Sequence, residues 1–128
     1  MKKKVSLVFV VLIIAAAAAF LMVEGADAFC VYNKTDIVIT VRQTSGHKKT
    51  YGFGGDIALG DNKCCNWQNK DCNKEGKKDS TVKFDVNYIV GGAFSPITIN
   101  ICGDVPIKAG GWLTVEGSDV KYKCVAHE

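Results

Sequence analysis

From Phe29 onward, apolar residues recur at every second position, not with the 3.6-residue period of a helix. Ile37, Ile39 and Val41 alternate with Val38, Thr40 and Arg42. Val82, Phe84, Val86, Tyr88 and Val90 alternate with Lys83, Asp85 and Asn87. The same period runs through Ile97, Ile99 and Ile101, and through Val120, Tyr122 and Cys124. Such alternation sets one face of a strand on a core and the other in water. Shorter stretches at 29–32, 50–53, 57–59 and 111–116 extend the series. Between them lie turn-forming groups: Ser45-Gly46, Gly54-Gly55, Gly60-Asp61-Asn62, Gly91-Gly92, Gly103-Asp104, Gly110-Gly111 and Gly117-Ser118-Asp119. Seven or eight short strands predict an all-β domain, a small antiparallel β-sandwich or partly open barrel.

Residues 1–28 break the pattern. Lys2, Lys3 and Lys4 precede an apolar run from Val5 to Val23 that only Ser6 interrupts, and Ala26-Asp27-Ala28 follows. A charged start, an apolar stretch and small residues at a cut site predict a secretory signal peptide cleaved between Ala28 and Phe29. The remaining 29–128 form a single domain. The apolar run is closer to the roughly 20 residues of a membrane span than to the roughly 7–15 of a typical signal, which keeps a retained anchor as the alternative. Either way the lysines stay on the cytoplasmic side and the domain is exported, so its expected localisation is secreted.

Composition follows from that division. The 128 residues carry a formal charge of +3 and are 48% hydrophobic. Without the leader, 13 basic and 11 acidic residues leave +2. The domain has no membrane span of its own. Its weak charge lacks the clustered basic face that nucleic acid requires. It also has no amphipathic helix with which to disrupt membranes.

All six cysteines lie in the domain: Cys30, Cys64, Cys65, Cys72, Cys102 and Cys124. An even number in a short exported chain predicts three disulfides. Cys64 and Cys65 are adjacent, and neighbouring Cα atoms sit closer than disulfide geometry favours. The two should therefore tie their segment to different places. The expected pairing joins Cys30 to Cys124, with Cys72 and Cys102 taking the vicinal pair. Residues 61–80, polar and rich in lysine and asparagine, are expected to form a long cysteine-pinned loop.

Catalytic chemistry is thinly represented. The domain has two histidines: His47 in a glycine-lysine turn, and His127 next to the C-terminal residue. Neither is placed where a general base is normally held. Oxidised cysteines supply neither nucleophile nor zinc ligand. A carboxylate-dependent hydrolase, which needs only two acids, is the remaining enzymatic alternative. Asp71, Asn73, Glu75, Gly76 and Asp79 resemble the first half of an EF-hand calcium loop, but Val82 stands where the closing Glu belongs. No metal and no cofactor are expected.

Asn66, Trp67, Gln68 and Asn69 are the candidate ligand-binding residues. An indole beside amides can stack on a sugar ring and hydrogen-bond its hydroxyls, with Trp112 and Tyr51 as further aromatic surface. The alternative role for Trp67 is packing over the disulfides. Asn33-Lys34-Thr35 is an N-glycosylation sequon in the first expected turn. The reading that fits best is a secreted, cysteine-rich, non-enzymatic binding protein of the defence, effector or inhibitor type. Its partner would be an extracellular protein or a cell-surface glycan, and a carbohydrate-binding module built on Trp67 is the alternative.

Overall fold

The period-two segments become eight strands in two stacked four-stranded sheets. The computed structural model describes residues 28–48 and 52–128. The expected signal peptide and Tyr51 therefore lie outside the described residues, except for Ala28. The strands are β1 (Ala28–Thr35), β2 (Ile39–Ser45), β3 (Gly54–Ile57), β4 (Asn62–Asn66), β5 (Thr81–Val90), β6 (Ile97–Lys108), β7 (Trp112–Ser118) and β8 (Lys121–His127). One sheet has the order β4-β1-β7-β8, the other β3-β2-β5-β6. Every pairing is antiparallel except β1 with β7, where Cys30 aligns with Trp112 and Thr35 with Gly117.

The inward faces follow the alternation. Phe29 and Val31, Ile39 and Val41, Val82, Phe84 and Val86, and Leu113 and Val115 are all buried. Phe29, Phe53 and Phe84 meet at the centre with ring centroids 5.5–5.7 Å apart, tilted or edge-on. Burying each ring contributes about 1.5–3 kcal/mol. Lys121 and Lys123 project from β8, an edge strand, where charge discourages pairing with another sheet.

The structure corrects several sequence expectations. Asn62–Asn66 is a strand rather than the start of the polar loop. It has almost no apolar alternation because it is an exposed edge, held by its ladder to β1. Gly54-Gly55 lies inside β3. Gly103-Asp104 is a bulge in the long strand β6, not a turn. Asp104 stands at φ 48° there. Its N–H donates to Asp85 Oδ1 at 2.9 Å, and its carboxylate accepts from the Thr44 hydroxyl at 2.7 Å. Val120 belongs to the β7–β8 turn, and the strand begins at Lys121.

Three disulfides form, with a different pairing from the expected one. Cys30 bonds Cys64, Cys65 bonds Cys72, and Cys102 bonds Cys124. Cys64 and Cys65 do tie to two places, and Cys72 does take one of them. Cys30–Cys124 fails because β7 stands between β1 and β8, whereas β4 lies beside β1 with Cys64 directly opposite Cys30. Cys124 instead reaches across the sandwich to β6.

This topology sorts the connections between two ends of the sandwich. The β1–β2, β3–β4, β5–β6 and β7–β8 connections share one end. The β2–β3, β4–β5 and β6–β7 connections share the other, together with the start of β1.

Candidate functional site

The β4–β5 loop at the second end is built around its own side chains. The Asn66 carboxamide oxygen accepts from the Gln68 N–H at 2.9 Å, and that of Asn69 accepts from the Asp71 N–H at 3.0 Å. Asn73 is 1% exposed. Its amide donates to the carbonyls of Trp67 and Lys77 at 2.8 and 2.9 Å, and its oxygen accepts from the Ser80 hydroxyl at 2.6 Å. The oxygen at position 3 of the EF-hand-like run, that of Asn73, is thus turned inward and occupied. Gln43, also buried, donates to the Cys72 carbonyl at 2.6 Å and fastens the loop to β2.

Within this loop the candidate residues are not brought together as a sugar platform. Trp67 is half-buried and packs against the core, and its indole N–H is buried with no acceptor among the described residues. Asn66, Gln68 and Asn69 are exposed. Asn69 lines a cleft of about 440 Å³ between the edge strands β3 and β4, with Phe53, Lys63, Asp71 and the Cys65–Cys72 bridge. Trp112 is partly exposed and stacks on His127 at 4.9 Å.

Neither cleft holds two carboxylate side chains. The cleft beside Asn69 has one carboxylate, Asp71, and a smaller cleft at the C-terminal end has one, Glu128. The Thr114 hydroxyl lies 3.0 Å from His127 Nε2. Thr114 is only 2% exposed, while His127 lines the smaller cleft.

Asn33, the sequon residue, is 1% exposed. Its amide donates to the carbonyls of Ile37 and Ile57 at 2.7 and 2.9 Å, and its oxygen accepts from the Thr35 N–H at 3.0 Å. Both amide hydrogens are engaged, so a glycan on that nitrogen and this packing exclude one another. Asn33 instead fixes two connections of the first end, β1–β2 and β3–β4.

That end carries the surface the sequence did not single out. Among the described residues, eight large apolar side chains are exposed, and all but Trp112 lie there. Val38, Leu59 and Val120 come from three connections. Ile89, Val90, Phe94 and Ile97 come from the β5–β6 hairpin, which runs past the end of β2, whose last partner on β5 is Asn87. Phe94 at its tip is fully exposed. The alternation that marks a buried strand continues through Val90 and Ile97, yet the opposite sheet ends before it can cover them. The turn at Gly91 requires glycine, because its φ is positive (93°) and a Cβ there would meet the Ser95 carbonyl at 2.6 Å.

The end is clamped at its base. Tyr88 packs edge-on against Tyr122 at 5.4 Å. The Tyr122 hydroxyl donates to Asp36 Oδ1 at 2.8 Å, and the Asp119 N–H donates to Oδ2 at 3.3 Å. The tyrosine, and then the Asp119 N–H, hold the Asp36 carboxyl below its usual range. The carboxylate in turn pushes the Tyr122 phenol up. Asp119 and Val120 stand at φ 53° and 60°. Two positive φ angles suit a tight hairpin turn, but for a β-branched residue that region is strained.

No family model, curated protein or solved structure matches this chain, so the apolar end and its clamp stand on their own geometry.

Proposed function

We propose that the chain is a secreted, non-enzymatic interaction protein that engages its target with the end formed by the β1–β2, β3–β4, β5–β6 and β7–β8 connections. The observation that carries this reading is the gathering of exposed apolar side chains at that end and not the other. A contiguous apolar patch on a small domain marks an interaction surface. Three disulfides are compatible with an extracellular location and give the scaffold its stability there. The strained Val120 and the Asp36–Tyr122 clamp support a surface held in shape before binding. The packing of Trp67 against the core supports a scaffold role for it.

Binding of the fluorescently labelled protein to intact yeast and cultured animal cells tests the reading. Phe94→Asp should remove at least nine-tenths of the bound signal, and Lys77→Ala with Lys78→Ala at the opposite end should leave it unchanged. Cell binding indifferent to Phe94→Asp would overturn it.

A further inference from the structure

The apolar end does not present a single face, as a surface shaped for a folded partner does. On the β5–β6 hairpin, Val90 pairs with Ile97 on one side, Ile89 lies on the other, and Phe94 occupies the tip. Both faces of the projection and its tip therefore carry an exposed apolar side chain. From Val86 through Gly103 no residue is charged. Such a projection suits an apolar medium that contacts it from every direction at once.

We infer that the hairpin docks the domain on a lipid bilayer by immersing its tip in the acyl boundary of one leaflet, a partner class that rests on the proposed binding end. The reach fits. Tyr88, Ile89 and Val90 extend beyond the part of β5 paired with β2. At about 3.3 Å per residue they span roughly 10 Å before the turn. Interfacial segments bury their apolar face to a depth of about 5–10 Å. The β5–β6 ladder pairs the backbone as far as Val90 and Ile97, and within the tip the Ser95 N–H donates to the Gly92 carbonyl at 3.1 Å, which limits the unpaired groups that lipid contact would penalise. Tyr88 and Tyr122 stand at its root, the level where amphipathic rings meet head groups.

Charge selects the lipid. The connections of this end contain Asp36, Asp61 and Asp119 and no lysine. The lysines among the loops lie at the opposite end, at Lys48, Lys70, Lys74, Lys77 and Lys78. Lys34 and Lys121 at the adjoining strand ends offset only two of these three carboxylates, so anionic head groups are not favoured and zwitterionic surfaces are the target.

Co-flotation of the protein with neutral phosphatidylcholine vesicles tests the inference. The wild type should float with the vesicles, equally at low and high salt, and Phe94→Asp should lower its partition coefficient at least tenfold. Phe94 packs against nothing, so this variant should melt like the wild type. Phe94→Trp should retain binding, and its fluorescence should shift to the blue on adding vesicles. Four results would overturn the lipid assignment: no flotation, flotation indifferent to Phe94→Asp, flotation only with anionic vesicles and lost in salt, or a dimer in lipid-free solution that Phe94→Asp dissociates. Cell binding that depends on Phe94 without vesicle binding would assign the same end to a protein partner and leave the proposed function standing. Cell binding indifferent to Phe94 would remove both.

Discussion

Tyr122 and Asp36 lie 86 residues apart in sequence, and the phenol of one donates to the carboxylate of the other at 2.8 Å. The bond joins the β1–β2 connection to β8, two strands away from β1 in the same sheet. It requires Asp36 ionised and Tyr122 protonated. The lowered Asp36 pKa makes its contribution present above the ordinary carboxylate range and lost as pH falls through the folded value. The raised Tyr122 pKa makes its contribution present below the ordinary phenol range and lost as pH rises through the folded value. Melting temperatures of wild type and Tyr122→Phe should therefore differ most on the plateau between these limits. The difference should begin to shrink below about pH 4 and above about pH 10, and vanish only beyond the folded values. No difference at any pH would show that the ring contributes packing alone.

Val120 provides a second test. A β-branched residue at φ 60° carries backbone strain. Val120→Gly should stabilise the domain by about 1 kcal/mol, after the added freedom of the unfolded chain offsets part of the relief. Urea unfolding measures this. The same variant should weaken cell binding, because it removes an exposed apolar side chain.

Asn33 should behave as a structural residue. Asn33→Ala leaves the Ile37 and Ile57 carbonyls and the Thr35 N–H without their partner, at an expected cost on the order of 3 kcal/mol. Protein secreted from a eukaryotic host should fold with Asn33 unmodified. Intact mass spectrometry of the folded fraction checks this, and a glycan there would contradict the buried packing.

The inter-sheet disulfide should matter for stability more than for the shape of the cysteine loop. Replacing Cys102 and Cys124 together with serine should lower stability by about 3 kcal/mol, the entropy of closing a 22-residue separation. Replacing Cys65 and Cys72, 7 apart, should lower it less, by about 2 kcal/mol. Peptide mapping of the native chain should recover Cys30 linked to Cys64.

The sequence was readable where the structure is local. Val82, Phe84 and Val86 announce their strand because alternation alone decides which face each takes. Val90 and Ile97 continue that alternation, but their exposure depends on where the opposite sheet stops, and no local pattern encodes that. β4 was invisible for the converse reason: Asn62-Lys63-Cys64-Cys65-Asn66 has little preference for a strand and is held by its neighbour β1 and two disulfides. The cysteine pairing depends on strand order, which spacing does not reveal. Trp67 follows the vicinal cysteines in sequence, but which way its ring turns is a matter of tertiary packing.

The parallel pairing of β1 with β7 sets a schedule for assembly. Cys30 takes its place beside Trp112, 82 positions later in the chain. Until the last quarter of the domain is available, β1 has a neighbour on only one side, and Phe29 cannot be enclosed. Hairpins such as β5–β6 and β7–β8 can form early, from contacts close in sequence, but the sandwich can close only after its earliest strand finds one of its latest. Such non-local pairing places this domain among the slower folders, in the range of milliseconds to seconds. The uncovered hairpin tip, which never joins that closure, is accessible from the moment it forms.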